Sequence, residues 1–148
     1  MIRPAGYSDI PDILRLSAEM HLESRYRTLP YSSDKFAALL RRLIDSPDGM
    51  VAVAEKDGQI VGTIAAVITE HYFADAHISY ELGLYVEKAH RGTLAGYRLA
   101  KEYIGWARSK GVDQIDMGIT TGIDEERTGR MYERLGLKHV GIVFSGGK

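Results

Sequence analysis

Between Leu82 and Lys110 the sequence reads LGLYVEKAHRGTLAGYRLAKEYIGWARSK: an apolar strand, a short turn carrying Arg91, Gly92 and Gly96, and then a helix. A turn of this kind gathers backbone N–H groups at the positive end of a helix, where they stabilise an anion without needing many cationic side chains. Glycine assists by letting the backbone approach closely and adopt positive φ. Other chemistries find little support. There is no Walker A sequence and no GxGxxG. No two of His21, His71, His77, His90 and His139 are spaced one helical turn apart, which argues against a metal site. With no cysteine there is no thiol nucleophile or thiolate ligand, and Ser24 and Ser79 stand in no motif of an activated hydroxyl.

A chain of 148 residues fits one domain spanning 1–148. The formal net charge of -1 gives no overall reason to expect nucleic acid or an anionic membrane as partner. No apolar run reaches the roughly 20 residues of a membrane span, the first ten residues hold no signal-like apolar stretch, and the lack of cysteine suits a reducing compartment. The expectation is a soluble, cytoplasmic protein.

The elements that would position the turn follow from local pattern. A strand around Ile2 to Ala5 leads to a helix capped by Ser8 or Asp9, with Pro11 in its first turn and Ile13, Leu16, Ser17 and Met20 at helical spacing. His21 to Tyr31 reads as a loop. Ser32 or Ser33 opens a second helix whose Phe36, Leu39, Leu40 and Leu43 form an apolar stripe. Strands are expected from Met50 to Glu55 and from Gln59 to about Thr69, joined by a tight turn at Asp57 and Gly58. The run IVGTIAAVI is apolar on both faces, as in a sheet covered by helices on both sides. A third long strand through Ile78 to Val86 carries Gly83, a candidate bulge. After the central helix, closed by Gly111, come a strand from Gln114 to Ile119, a helix capped by Asp124 and stopped by Gly136, and a last strand from Lys138 to Phe144.

This order, with an apolar strand feeding RGTLAG and a late helix ending in MYERLGL, resembles the GNAT superfamily of acyl-CoA-dependent N-acetyltransferases over essentially the whole chain. The pyrophosphate-binding pattern of that family lands on Arg91, Leu94 and Gly96, and its late-helix pattern on Tyr132, Leu135 and Gly136. The resemblance implies a mixed, mostly antiparallel α/β (α+β) sheet of six to seven strands with about four helices. It also implies acetyl-CoA as co-substrate, with no metal.

By the same resemblance the CoA-binding residues are Leu84, Tyr85 and Val86, whose backbone would pair with the pantetheine arm, and Arg91, Gly92, Thr93, Leu94, Ala95, Gly96 and Tyr97. An N–H of Leu84 or Tyr85 would face the thioester oxygen. Leu94 stands where the family usually has glycine, so the turn must use an ordinary conformation there or hold the phosphate further away. Tyr132 resembles the family's general-acid tyrosine, a phenol protonated at pH 7 that can serve the leaving thiolate. Glu81 is the candidate base, because some members use a glutamate on that strand. Strict alternation places it opposite Leu82 and Leu84, so a bulge near Gly83 must reorient it.

Acceptor contacts in the family come from the loop between the first two helices, the connection from Glu70 to Asp75 and the C-terminal strands. Here these offer Glu23, Tyr26 and His71, suited to a cationic amine of a small molecule or peptide. Since only SGGK follows Phe144, either the sheet ends one strand early or a neighbouring subunit covers its edge, as in a homodimer. The expected function is direct acetyl transfer to a primary amine. The alternatives are a catalytically idle acyl-CoA-binding module and, less in keeping with the strand pattern, an unrelated nucleotide-binding α/β domain.

Overall fold

The computed structural model describes residues 1–148. Nine regular elements follow one another: β1 (Ile2–Pro4), α1 (Ile10–Glu23), α2 (Ser33–Asp45), β2 (Gly49–Lys56), β3 (Gln59–Glu70), β4 (His77–Val86), α3 (Ala95–Ser109), β5 (Gln114–Asp116) and α4 (Glu125–Arg134). Short 3-10 turns occupy Tyr7–Asp9, Arg25–Thr28 and Lys88–His90. No helix is long and apolar enough to cross a membrane.

The strands form one sheet in the order β1-β2-β3-β4-β5, antiparallel except for the parallel pair of β4 and β5. Because side chains alternate along a strand, an apolar sheet needs cover on both faces. One core packs Ile13 and Leu16 of α1 and Leu40 and Leu43 of α2 against Val51, Val53 and Ala65. The other packs Leu99, Tyr103, Ile104 and Ala107 of α3 against Ala52, Ile64 and Ala66. The hairpin between β2 and β3 turns where expected, with Asp57 at φ 51° and Gly58 at φ 77°.

Several expectations are corrected. Five strands form, not six or seven. The Gln114–Ile119 strand stops at Asp116, because β4 and β5 part company there. Lys138–Phe144 forms no strand: after the Leu137 N–H bond to Tyr132 the tail makes no further backbone hydrogen bond, and a strand without a partner has nothing to satisfy its amides. Val140, Ile142, Val143 and Phe144 are all exposed. The His21–Tyr31 loop is shorter than expected, since α1 runs on to Glu23 and Arg25–Thr28 makes a 3-10 turn. Asp9 does not cap α1 with its side chain; its carboxylate takes two bonds from Arg3 and one from the Gly6 N–H. Asp124 precedes α4 with a left-handed backbone and no capping side-chain bond.

Two glycines give opposite expectations. A Cβ on Gly49 would stand 2.4 Å from the Leu43 carbonyl oxygen and 2.6 Å from its Cα, at the tight passage from α2 into β2. Backbone cannot step aside there, so Gly49→Ala is expected to cost about 2–3 kcal/mol. Gly105 lies within α3 and faces open space, so Gly105→Ala is expected to stabilise by about 0.5–1 kcal/mol. Urea unfolding of both variants with unchanged slopes would check the pair.

Candidate active site

The site grows from an irregularity in β4. Opposite β3, Gly83 pairs with Ala65 and Glu81 with Ala66, so Leu82 is the extra residue of a bulge, one position from the glycine expected to mark it. The slip transfers Glu81 and Ser79 to the same face as Leu84 and Val86, the face covered by α3. The required reorientation of Glu81 is therefore present.

Beyond the bulge β4 and β5 splay. Their parallel ladder covers Ile78 with Gln114, Ser79 with Ile115 and Tyr80 with Asp116, and then ends. In the opening the Gly118 N–H donates to Glu81 Oε1 at 3.1 Å, a bond that a regular ladder would direct to a β4 carbonyl. The Gly118 carbonyl faces the Tyr132 hydroxyl at 3.4 Å, too long for a strong bond. The backbone of one residue, through two successive peptide groups, thus touches both polar side chains of the cleft.

Burial sets their ionisation. Glu81 is pushed up to about 7, because desolvation outweighs the opposing Gly118 N–H bond. Tyr132, only 8% exposed, is driven well above the ordinary phenol value by burial and then by the negative fields of Glu81 and Tyr103. The phenol is therefore firmly protonated, beside a carboxyl that titrates near neutrality. Tyr103 sits behind them, linked to Ser79 Oγ at 3.0 Å and donating to the Asp116 carbonyl at 2.9 Å.

At the far end of the cleft is the turn from Arg91 to Gly96. Gly92 takes the left-handed conformation at φ 88°, while Leu94, at φ -80°, keeps an ordinary one as its side chain requires. The amides of Gly92, Thr93, Leu94, Gly96 and Tyr97 have no protein acceptor, whereas that of Ala95 is met by Thr93 Oγ1 at 3.3 Å. A Cβ on Gly96 would come to 3.7 Å from Val86 and 3.8 Å from the Met131 sulfur, so the turn packs closely between β4 and α4. Free amides at a helix N-terminus fit an anionic, phosphorylated ligand.

The Arg91 side chain is turned the other way. Its guanidinium pairs with both oxygens of Glu23, gives Nε to the Val86 carbonyl at 3.0 Å, and lies 5.2 Å from the Tyr85 ring. Glu23 also accepts from the Tyr85 hydroxyl at 3.1 Å, and Arg91 holds it below the usual carboxylate range. Glu23 was expected to face an acceptor; its oxygens are instead taken by the donor turn. Tyr26 does reach the cleft wall, its hydroxyl 2.7 Å from Thr120 Oγ1. His71 lies with exposed Tyr72 and Phe73 at the β3–β4 connection, its hydrogen bonds confined to that turn. Gly118 and Thr120 escaped the sequence reading, because backbone groups and a lone threonine carry no signature. No three histidine or acidic side chains converge in a way that could hold a metal ion.

A profile of the acetyltransferase (GNAT) family matches residues 16–137. The chain belongs to this family. No curated protein sequence gives a significant match. Among solved structures, glucosamine-6-phosphate N-acetyltransferase from Arabidopsis thaliana is similar with TM-score 0.78 at 16% identity, covering 99% of this chain and 97% of that one. The aminoglycoside antibiotic 6'-N-acetyltransferase AAC(6')-Ig from Acinetobacter haemolyticus gives 0.75 at 19%, covering 100% and 97%. AAC(6')-Iy, in complex with the bisubstrate analog CoA-S-monomethyl-acetylneamine, gives 0.80 at 15%, again covering 100% and 97%. At such identities the likeness is one of fold.

The raised Glu81 value has a thermodynamic consequence with a definite sign. Between the ordinary carboxylate value and about 7 the folded state holds a proton that the unfolded state has released, so stability falls as pH rises through that window. Glu81→Gln removes the penalty. Its stability relative to the parent is expected to rise by on the order of 1–3 kcal/mol between pH 5 and pH 8, as urea unfolding at the two pH values would read.

Proposed function

We propose that this GNAT-family protein transfers an acetyl group from acetyl-CoA directly to a primary amine of a small polar molecule, without a covalent enzyme intermediate. The observation that carries this reading is the cleft itself: free amides at the Gly92–Tyr97 turn at one end, and Glu81 and Tyr132 meeting at Gly118 at the other. The named relatives acetylate amino groups of sugars and aminoglycosides, which favours the same class of acceptor here.

In this scheme the turn amides hold the donor's phosphates, and the splayed backbone of Leu84 to Val86 lies along its arm. An N–H of Leu84 or Tyr85 faces the thioester oxygen, where charge develops as the amine attacks. Glu81, ionised for about half the molecules near pH 7, takes a proton from the incoming ammonium, directly or through water. The new C–N bond forms as the C–S bond breaks. Tyr132 then meets the leaving sulfur. Transfer of its proton to a thiolate of pKa about 8.5 would be uphill, so Tyr132 acts as a hydrogen-bond donor. Burial still holds the phenol protonated after Glu81 has taken the first amine proton, so the thiolate leaves hydrogen-bonded to Tyr132 and is protonated by the second proton that the amine nitrogen sheds as the amide forms. Tyr26 and Thr120 line the acceptor side.

The test is calorimetric titration with acetyl-CoA, followed by thiol release on a panel of aminosugars, aminoglycosides, polyamines and peptide N-termini. Binding with release is expected, and Tyr132→Phe should retain binding while lowering release about 10–100-fold. Release by the parent should rise along a limb centred near pH 7, and Glu81→Gln should abolish that limb. Binding without release on any amine would leave a CoA-binding module; absence of binding would remove the proposal.

We infer a homodimer as its working form. Of the two sheet edges, β1 and β5, the one at β5 lies nearer in chain order to an unpaired tail with Val140, Ile142 and Phe144 in alternation, so a two-fold exchange of tails would cover that edge. Light scattering after size-exclusion chromatography is expected to give a dimer, and a monomer for Val140→Ser combined with Phe144→Ser.

A further inference from the structure

Arg91 is the conspicuous cation of the donor turn, yet its guanidinium is fully engaged with Glu23 and the Val86 carbonyl and cannot turn outward without breaking those bonds. A second cation approaches the same turn from α4. Arg127 Nη2 lies 3.5 Å from the point where a Cβ on Gly92 would stand, so the guanidinium rests over the residue whose left-handed backbone aims the free amides. Arg127 is lightly held. Its one ionic neighbour is Asp124, 3.9 Å away and 56% exposed, and Arg127 itself is 55% exposed. A surface pair this long adds little stability, so the side chain can exchange it for a better anion.

We propose that Arg127 is the cation that closes on the pyrophosphate of the donor, and that Arg91 is a positioning residue which fixes the turn from behind. This rests on the acetyl-CoA reading given above. The division follows from chemistry: the turn amides supply directed hydrogen bonds but only partial charge, and a pyrophosphate carries more than one negative charge. A guanidinium fork matches two phosphate oxygens at once. Supplied from α4, it also draws that helix, and Tyr132 further along it, toward the bound donor.

The experiment is calorimetric titration of the parent, Arg127→Gln and Arg127→Lys with CoA, dephospho-CoA and pantetheine, at low and moderate salt. Arg127→Gln is expected to weaken CoA and dephospho-CoA equally, by about tenfold, to leave pantetheine unchanged, and to flatten the salt dependence; Arg127→Lys should recover part of the loss. Equal affinities of parent and Arg127→Gln for CoA would overturn the assignment. So would a loss shared by pantetheine, which marks a structural effect, or one confined to CoA, which marks a contact with its 3′-phosphate. A parent that binds none of the three would instead overturn the acetyl-transfer reading on which the assignment rests.

Discussion

The arrangement of this molecule depends on the backbone of one residue, Gly118. A parallel pair of strands ordinarily closes with backbone bonds along its whole length, and an open cleft between β4 and β5 would leave amides and carbonyls stranded in a buried place. Here the Glu81 carboxylate takes the amide, and the Tyr132 hydroxyl faces the carbonyl. The sheet can therefore part with the Gly118 amide satisfied and its carbonyl facing a hydroxyl. The same substitution brings a titrating carboxyl and a firmly protonated phenol within reach of one point. Structural need and chemical opportunity coincide at that residue.

The rest of the fold supports this opening. Two apolar layers cover β2 and β3 from either side, and the opening lies at the outer pair, β4 and β5. The Leu82 bulge places Glu81 on the α3 face, and Tyr103, tied to Ser79 and the Asp116 carbonyl, clasps the last paired residues of β4 and β5 just before they separate. Burial raises the proton affinity of Glu81 and Tyr132 alike, and the field of Glu81 adds to that of Tyr132. The phenol is thus held protonated by burial first and by the Glu81 carboxylate second.

What could be read from the sequence was what local rules decide. Helical spacing located the four helices, Asp57 and Gly58 located a hairpin, and a strand-turn-helix pattern located the turn from Arg91 to Gly96. Tyr132 was singled out by its flanking motif, and the structure buries it facing the Gly118 carbonyl. Pairing was less legible. Whether Glu81 faces inward depends on a register slip against β3, which the alternation of β4 alone cannot contain. Val140, Ile142 and Phe144 alternate as a strand should, but alternation does not supply a neighbour. Arg91 and Glu23 were each expected to face a ligand, and the structure turns them on one another across 68 residues of sequence. Long-range charge pairing has no local trace.

That pairing divides the molecule functionally. Glu23 ends α1 on the donor turn, while the next residues are fastened elsewhere: the Arg25 amide to the Thr121 carbonyl and the Tyr26 hydroxyl to Thr120. Ser24, fully buried, is the pivot between the two attachments. On the proposed acetyl-transfer reading, substitutions from Arg25 to Tyr31 would reshape the acceptor wall while the Arg91–Glu23 pair keeps the turn anchored. A lineage built on this chain would then exchange its amine without relearning how to hold its acyl donor.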